Sequence, residues 1–345
     1  MGWPHNLSDW PGKFTPIPWV YGEIVRKIAP AEMVRILVNS KAHEERTRRI
    51  LRRVGVDLSR VEFFRFPTNR GWTRDFGPMF VKRDGHHPLP PPCQGGERTS
   101  QPDVAIVDFG FNGWGKYPNW QKDNKVAWLA AGALGCRLFQ VKVKGRDFVF
   151  EGGSIDGNGC GTLLTTEECL LDPEVQVRNP GLTRQETEEA LREYLGIKNV
   201  LWLGKGIAGD DTHGHVDDVC RFVGPHTVVL CQESDSSDAN YRPLQENRER
   251  LQGMGLEDGS RIEVVGLPMP MPLFFDGQRL PASYANFYIS NAAVLVPTFN
   301  DPNDRIALGT FAELFRDRPV IGIHAVDLVW GLGTLHCLTH EQPAT

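Results

Sequence analysis

The sequence predicts an α/β fold arranged as a closed ring of five blades. Three observations predict it: one order of elements repeats along the chain, the repeats are nearly evenly spaced, and a short polar signature recurs once in each. In every repeat a helical stretch is followed by an apolar strand, a polar loop and a second strand. The helical stretches span about 43–54, 119–134, 183–195, 241–252 and 303–316. The third opens on a capping box, Thr183-Arg-Gln-Glu186, and stops at Gly196, where glycine accepts the left-handed conformation that ends a helix. Strands behind the helices begin near Val61, Arg137, Val200, Arg261 and Pro319, which by subtraction sets spacings of 76, 63, 61 and 58 residues. Such a unit, repeated five times in 345 residues, is too long for a short-period solenoid and fits a blade. Residues 1–345 then form one domain, with a doubly wound sheet as the alternative that alternating strands and helices permit. Two Pro- and Gly-rich stretches, 86–98 and 266–278, read as loops. Pro88-Leu-Pro-Pro-Pro92 reads as an exposed insertion, because consecutive prolines cannot donate to a central strand.

Composition narrows the function classes. With 40% hydrophobic and 23% charged residues the chain belongs among ordinary globular proteins, not disordered or collagenous ones. The 38 basic residues are outnumbered by 43 acidic ones and form no dense stripe, so a nucleic-acid partner is not expected and a small cationic one is mildly favoured. The cluster Arg46 to Arg53 lies on a predicted helix and reads as a solvated face. No apolar run approaches the ~18 residues of a membrane span, and Met1-Gly-Trp-Pro-His5 lacks a signal-peptide pattern, so the expectation is a cytoplasmic protein with no membrane partner. Seven cysteines without a CxxC pair argue against a disulfide framework and a zinc knuckle, and most are expected to be reduced, buried filler.

The recurring signatures are Trp72-Thr-Arg-Asp75-Phe-Gly-Pro78, Glu151-Gly-Gly-Ser154, Gly214-His215-Val-Asp217, Ala285-Asn286-Phe287 and Leu335-His336-Cys337. Each is expected to open the second strand of its unit. Pseudosymmetric blades would then aim Asp75, Glu151, His215, Asn286 and Cys337 at a common axis. Carboxylates crowded together repel, and a planar guanidinium with five donors is the cation that best relieves them. A thiol in the same cavity becomes nucleophilic as its thiolate, beside an imidazolium or the bound cation. Attack on the guanidinium carbon makes an adduct that must expel ammonia, and His215 can give and take the protons near neutral pH. Water then hydrolyses the thiouronium intermediate. His336 is read as structural, since neighbours on a strand face opposite ways, and Asp210, Asp211 and Asp218 as solvated or capping carboxylates. Two rival readings stand beside this one. His213, His215 and Asp217 could ligate zinc, with Glu151, Asp75 or His336 completing the set, and a ring without catalysis could bind a partner through its axial loops.

Taken in order, these signatures resemble the agmatine deiminases and the bacterial type of peptidylarginine deiminase, guanidino-group modifying enzymes with the five-bladed pentein fold. The resemblance also covers Phe111-Asn-Gly-Trp-Gly115, Gly161-Thr-Leu-Leu-Thr-Thr-Glu-Glu-Cys169 and Ala282-Ser-Tyr-Ala-Asn286-Phe-Tyr288. It implies Cys337 as nucleophile, His215 as general acid and base with Glu151 close to it, and Asp75 and Asp217 as clamps on the guanidinium nitrogens. Trp72 and Trp114 match positions near the substrate stem, and Asn286 a polar position of the peptidylarginine members. No metal or organic cofactor is implied, and water is the co-substrate. Departures from the family pattern fall at Gly331-Leu-Gly-Thr334, where three glycines and an asparagine are usual, and after Cys337, where Leu-Thr-His-Glu stands in place of Thr-Gln-Gln. Relatives carry a further segment ahead of Trp3-Pro4, so a shortened start is expected. Agmatine, giving N-carbamoylputrescine on the route to polyamines, is the expected substrate, peptidyl-arginine the alternative, and a homodimer the expectation by base rate.

Overall fold

A computed structural model describes residues 1–82 and 104–344. Five helices, Lys41–Arg53, Val126–Leu134, Arg184–Leu195, Tyr241–Gln252 and Pro302–Leu314, each lie between two strands that pair parallel. The pairs are Val34–Leu37 with Val61–Phe64, Val104–Asp108 with Arg137–Gln140, Thr162–Thr166 with Asn199–Leu203, Thr227–Gln232 with Glu263–Pro268, and Val294–Thr298 with Val320–His324. In the last four, a third strand adds antiparallel to the first: Met79–Lys82, Asp156–Gly157, Cys220–Phe222 and Tyr288–Ile289. These are separate sheets of two or three strands, and none closes on itself among the described residues. The middle strands are buried along their length, as expected of strands covered on both faces.

The local chemistry accounts for most boundaries. Thr183 and Glu186 form the reciprocal capping box, and Gly196 ends that helix at φ 70°. Asp301 and Asp304 build a second box, with Pro302 in the first turn. The second predicted helix starts at Val126 rather than 119, because Asp123–Lys125 forms a 3₁₀ turn first. Helix Ile17–Ile28 was not anticipated; Pro16 and Pro18 flank its start, where a missing N–H costs no hydrogen bond. The stretch 266–278 is only partly loop. Its first residues complete strand Glu263–Pro268, and Phe274–Phe275 pairs with Gln278–Arg279 across Asp276 and Gly277, both at positive φ as a tight hairpin requires. The insertion 86–98 and Cys93 lie outside the described residues. Cys169, Cys220, Cys231 and Cys337 are buried, Cys136 is half-buried and Cys160 exposed; all six are free thiols. No helix among the described residues is long and apolar enough to cross a membrane.

The signatures do not open strands as expected. Asp75 sits in the helical turn Thr73–Phe76, Glu151 caps the 3₁₀ turn Gly152–Ser154, His215 caps the 3₁₀ turn Val216–Asp218, and Cys337 lies in the helical turn Leu335–Leu338. Three of these turns run directly into the antiparallel strand of their sheet. A helical turn spreads consecutive side chains around its axis, so adjacent residues are free to serve one site. The turns also touch one another: Thr73–Phe76 packs on Gly152–Ser154 and on Leu335–Leu338, and Gly152–Ser154 packs on Val216–Asp218.

Candidate functional site

The turns bring Asp75 and Cys337 to the lining of one cavity of about 200 Å³, walled by Trp72, Trp114, Tyr117, Trp330 and Leu332, with the other polar side chains buried beside them. Trp114 takes φ 58° between Gly113 and Gly115, which turns its indole N–H onto Asp75 Oδ2 at 2.9 Å. Asp75 Oδ1 accepts from the Gly153 N–H at 3.0 Å and lies 3.8 Å from His215 Nδ1. Asp217 stands between imidazole and thiol, with Oδ1 4.0 Å from His215 Nδ1 and Oδ2 3.6 Å from Cys337 Sγ. Both His215 Nδ1 and Asp217 Oδ1 are buried with no hydrogen-bond partner. Buried polar atoms are almost always paired, so two orphans side by side, an imidazole nitrogen and a carboxylate oxygen, mark a place for a polar ligand.

Behind His215 lies Glu151, fully buried, whose Oε2 meets Nε2 at 3.3 Å. The Arg178 guanidinium reaches both Glu151 oxygens from Nε, at 3.1 and 3.2 Å, and the Cys169 thiol lies 3.9 Å from Oε2. Arg178 itself is held by the carbonyls of Gln176 and Thr212. On the nucleophile side, Asn286 donates from Nδ2 to Cys337 Sγ at 3.1 Å and to Asp218 Oδ1 at 3.0 Å, while its Oδ1 accepts from Thr334 Oγ1 and the His336 N–H. Asn286 is therefore placed against the thiol. Arg74 pins the same turn from outside, donating to the His336 carbonyl and forming two bonds with the half-exposed Glu341.

Two readings of individual residues change here. His336 does not face away: in the helical turn its Nδ1 meets Asp217 Oδ2 at 2.7 Å. Burial, then Arg221 and Arg74, holds this imidazole far below its ordinary pKa, so it is neutral and donates to the carboxylate. Asp218 is buried within the 3₁₀ turn, not solvated, whereas Asp210 does cap the loop by accepting from the Gly214 and His215 N–H groups. The zinc set is not assembled: His213 is turned out by φ 62° and pairs with Asp172 at 2.8 Å. Glu151, Cys169 and His215 do converge within 4.8 Å, but the Arg178 guanidinium already supplies the positive charge at Glu151.

The electrostatics arise from crowding acids in a dry site. Burial raises the Asp75 pKa, with Glu151 adding to it and His215 opposing. Burial also raises Asp217 and Asp218, with Asp75 adding to the first and Asp217 to the second. Glu151 goes the other way, because Arg178 and His215 outweigh its burial. His215 is held well above its ordinary value: burial disfavours its charge, but Asp75, then Cys169 and Glu151, favour it more strongly. The Cys337 thiol is pushed well up by burial and by Asp217, Asp218 and Asp75, against the single Asn286 N–H. Before a cation binds, then, the imidazole is charged and the thiol keeps its proton.

Of the eight residues singled out in the sequence, Trp72, Asp75, Trp114 and Cys337 line the cavity, while His215, Asp217, Glu151 and Asn286 are buried beside them and linked to Asp75 or Cys337 by the contacts above. Sequence reasoning missed Arg178, Gly153 and the inward turn of His336. Cys169 closed one of the sequence motifs without a role.

Comparison with known proteins shows the family. The profile of the Porphyromonas-type peptidyl-arginine deiminase family matches residues 1–343. An agmatine deiminase of Ectopseudomonas mendocina is 31% identical over an alignment covering 100% of this chain and 92% of its own length. The agmatine deiminase of Enterococcus faecalis, solved while catalysing its reaction, superposes with a TM-score of 0.85 at 30% identity, covering 99% of this chain and 92% of that one. The substrate-bound agmatine deiminase of C. jejuni superposes at 0.81 with 31% identity, covering 97% and 90%. A match that runs nearly end to end, in sequence as in backbone, means that the chain belongs to the family of Porphyromonas-type peptidyl-arginine deiminases.

Proposed function

We propose that this chain hydrolyses the guanidinium group of agmatine, releasing ammonia and N-carbamoylputrescine. The observation that carries the reading is the meeting of a thiol, a cationic imidazole and buried acids around two orphaned polar atoms at the base of one aromatic-walled cavity. The relatives named agmatine deiminases support the choice of substrate. Asp9 also lines the cavity: the Arg70 guanidinium already holds its Oδ1, and its Oδ2, buried without a partner, is left to accept from a distal ammonium.

In this mechanism Asp75 and Asp217 hold the guanidinium nitrogens and Trp72 and Trp114 flank the stem. As the cation binds, the Cys337 proton is released to solvent, and the cation stabilises the thiolate left behind, helped by the Asn286 N–H. Sulfur attacks the guanidinium carbon, His215 protonates one nitrogen, and the C–N bond breaks to release ammonia. Water then adds to the thiouronium carbon as His215 takes its proton, and the C–S bond breaks to return the thiolate and the urea product. Glu151 keeps Nε2 of His215 occupied, so proton exchange proceeds at Nδ1. No step calls on a metal or organic cofactor.

The test is to compare kcat/KM for agmatine, free arginine and a blocked arginyl peptide, with and without a chelator. Agmatine is expected to lead by about 10²-fold or more, independent of chelator. Arg70 Nε, also unpartnered, is the atom a carboxylate would use, and preference for arginine would transfer the assignment to it. The pH profile adds a sign. Because Cys337 and the acids are raised before substrate binds, kcat/KM should climb as pH rises toward the alkaline side, while the bound cation moves the corresponding limb of kcat to lower pH. Coincident limbs would remove the cation from thiol activation.

Gly153 tests the cavity itself. A Cβ there would stand 2.5 Å from His215 Nδ1, 2.8 Å from Asp75 Oδ1 and 3.1 Å from Asp217 Oδ2. Gly153→Ala is expected to displace all three and lower agmatine kcat/KM by about 10²-fold or more, as misplacement of about an ångström does. Unimpaired turnover would show that these groups do not surround the reacting atoms.

We further infer a single domain over residues 1–345 in which the five units form a five-bladed pentein ring, a reading supported by their repeated strand order and by the contacts between successive turns.

A further inference from the structure

The loop before the nucleophile uses glycine and leucine in an unexpected order. Gly331 and Gly333 take no left-handed φ and are required by space: a Cβ at 331 would lie 2.5 Å from the Trp10 ring, and one at 333 would lie 3.0 Å from Trp72 and 3.2 Å from Cys337 Sγ. Leu332, between them, adopts φ 66° and ψ 30°, the left-handed conformation that glycine takes freely and leucine does not. Nothing local compensates, because a leucine side chain forms no hydrogen bond of the kind that lets asparagine occupy this region. The loop is held there from outside, by Trp10 Nε1 donating to the Leu328 carbonyl at 2.8 Å and by Trp330 Nε1 donating to the Pro11 carbonyl at 2.9 Å. A strained residue kept in place by its surroundings points to a use for its side chain. Leu332 is half-buried and lines the cavity with Trp72, Trp114, Trp330 and Cys337.

We infer that Leu332 is a specificity-determining residue that closes the apolar wall around the methylene stem of the substrate and so selects the length of an unbranched ω-aminoalkylguanidine. The inference rests on the reading of the cavity as a guanidino-substrate site and names its ruler. The guanidinium end is gripped by acids that are indifferent to the length of chain attached to it, so stem length is discriminated by the wall and by Asp9 at the far end, and of these only the wall changes with Leu332; a misfitted methylene in such a pocket changes kcat/KM by about 10-fold or more.

The experiment measures kcat and KM for aminoalkylguanidines with three, four and five methylenes, and for methylguanidine, which has no stem. The enzymes are wild type, Leu332→Gly, which relieves the backbone, and Leu332→Ala, which keeps the backbone strained and removes the wall. Both variants should lose the preference among stem lengths and lower the agmatine-to-methylguanidine ratio of kcat/KM by about 10-fold, chiefly through KM. Thermal melting of each variant confirms that the comparison is made on folded protein, and Leu332→Gly alone suffices if the strained alanine does not fold. A stem-length profile parallel to wild type, or a fall in kcat with KM unchanged, would show that Leu332 only packs the loop and would overturn the inference. Wild-type enzyme inert toward the whole series would instead overturn the guanidino reading before any variant is compared.

Discussion

Cys337→Ser should lower the turnover of agmatine by about 10⁴-fold or more while leaving the fold and the cation site in place. Serine keeps the size of the side chain and can still accept from Asn286 Nδ2, which now contacts the sulfur at 3.1 Å. It cannot supply a stable anion at neutral pH, and the surrounding acids raise even the thiol. The separation of binding from chemistry is what makes the result informative. Agmatine should still stabilise the variant against urea, by about 2.7 kcal/mol at a hundred times its dissociation constant. Residual turnover within tenfold of wild type would rule out sulfur as the attacking atom, and loss of the ligand-induced stabilisation would show that the serine had disturbed the site.

Glu151→Gln should damage stability and catalysis together. Both Glu151 and Arg178 have fully buried side chains, and the amide would leave the guanidinium without its counter-charge. Removing one partner of such a pair costs about 3–5 kcal/mol, and a urea midpoint measures it. The pH dependence carries a sign. The folded-state pKa of Glu151 is depressed below 4.5, so its contribution is fully present above that pH and is lost as pH falls through the lowered value. The glutamine variant should lose that acid-side slope. Because Glu151 is one of the groups holding His215 in its charged form, the alkaline limb of the kcat/KM profile should also move to lower pH in the variant. A variant as stable as wild type would mean that Arg178 finds another acceptor.

The elements with long periodic faces were readable from the chain. Thr183 and Gly196 bound one helix within a residue, and the strands at Val61, Arg137 and Pro319 begin within a residue of where the apolar pattern puts them. The candidate site residues could be singled out for a different reason: their types make one chemical sense only together. What escaped was local geometry too short to have a period. Four residues around Cys337 cannot show whether they coil or extend, and that choice decides whether His336 faces the cavity. Arg178 escaped because its importance lies wholly in a contact with Glu151, twenty-seven residues away, and no spacing rule marks it. Asp218 was misjudged because adjacent acids are usually solvated, and only the 3₁₀ turn buries both.

The orphaned atoms at the cavity floor reach beyond catalysis, into how the protein responds to its solvent. Burial and mutual repulsion raise the pKa of the acids there, which a flat cation small enough to enter would relieve. Guanidinium chloride is such a cation. If the site holds a guanidinium as proposed, low concentrations of this salt should stabilise the folded chain before higher ones unfold it, a mixture of two opposed effects that urea, being uncharged, keeps apart.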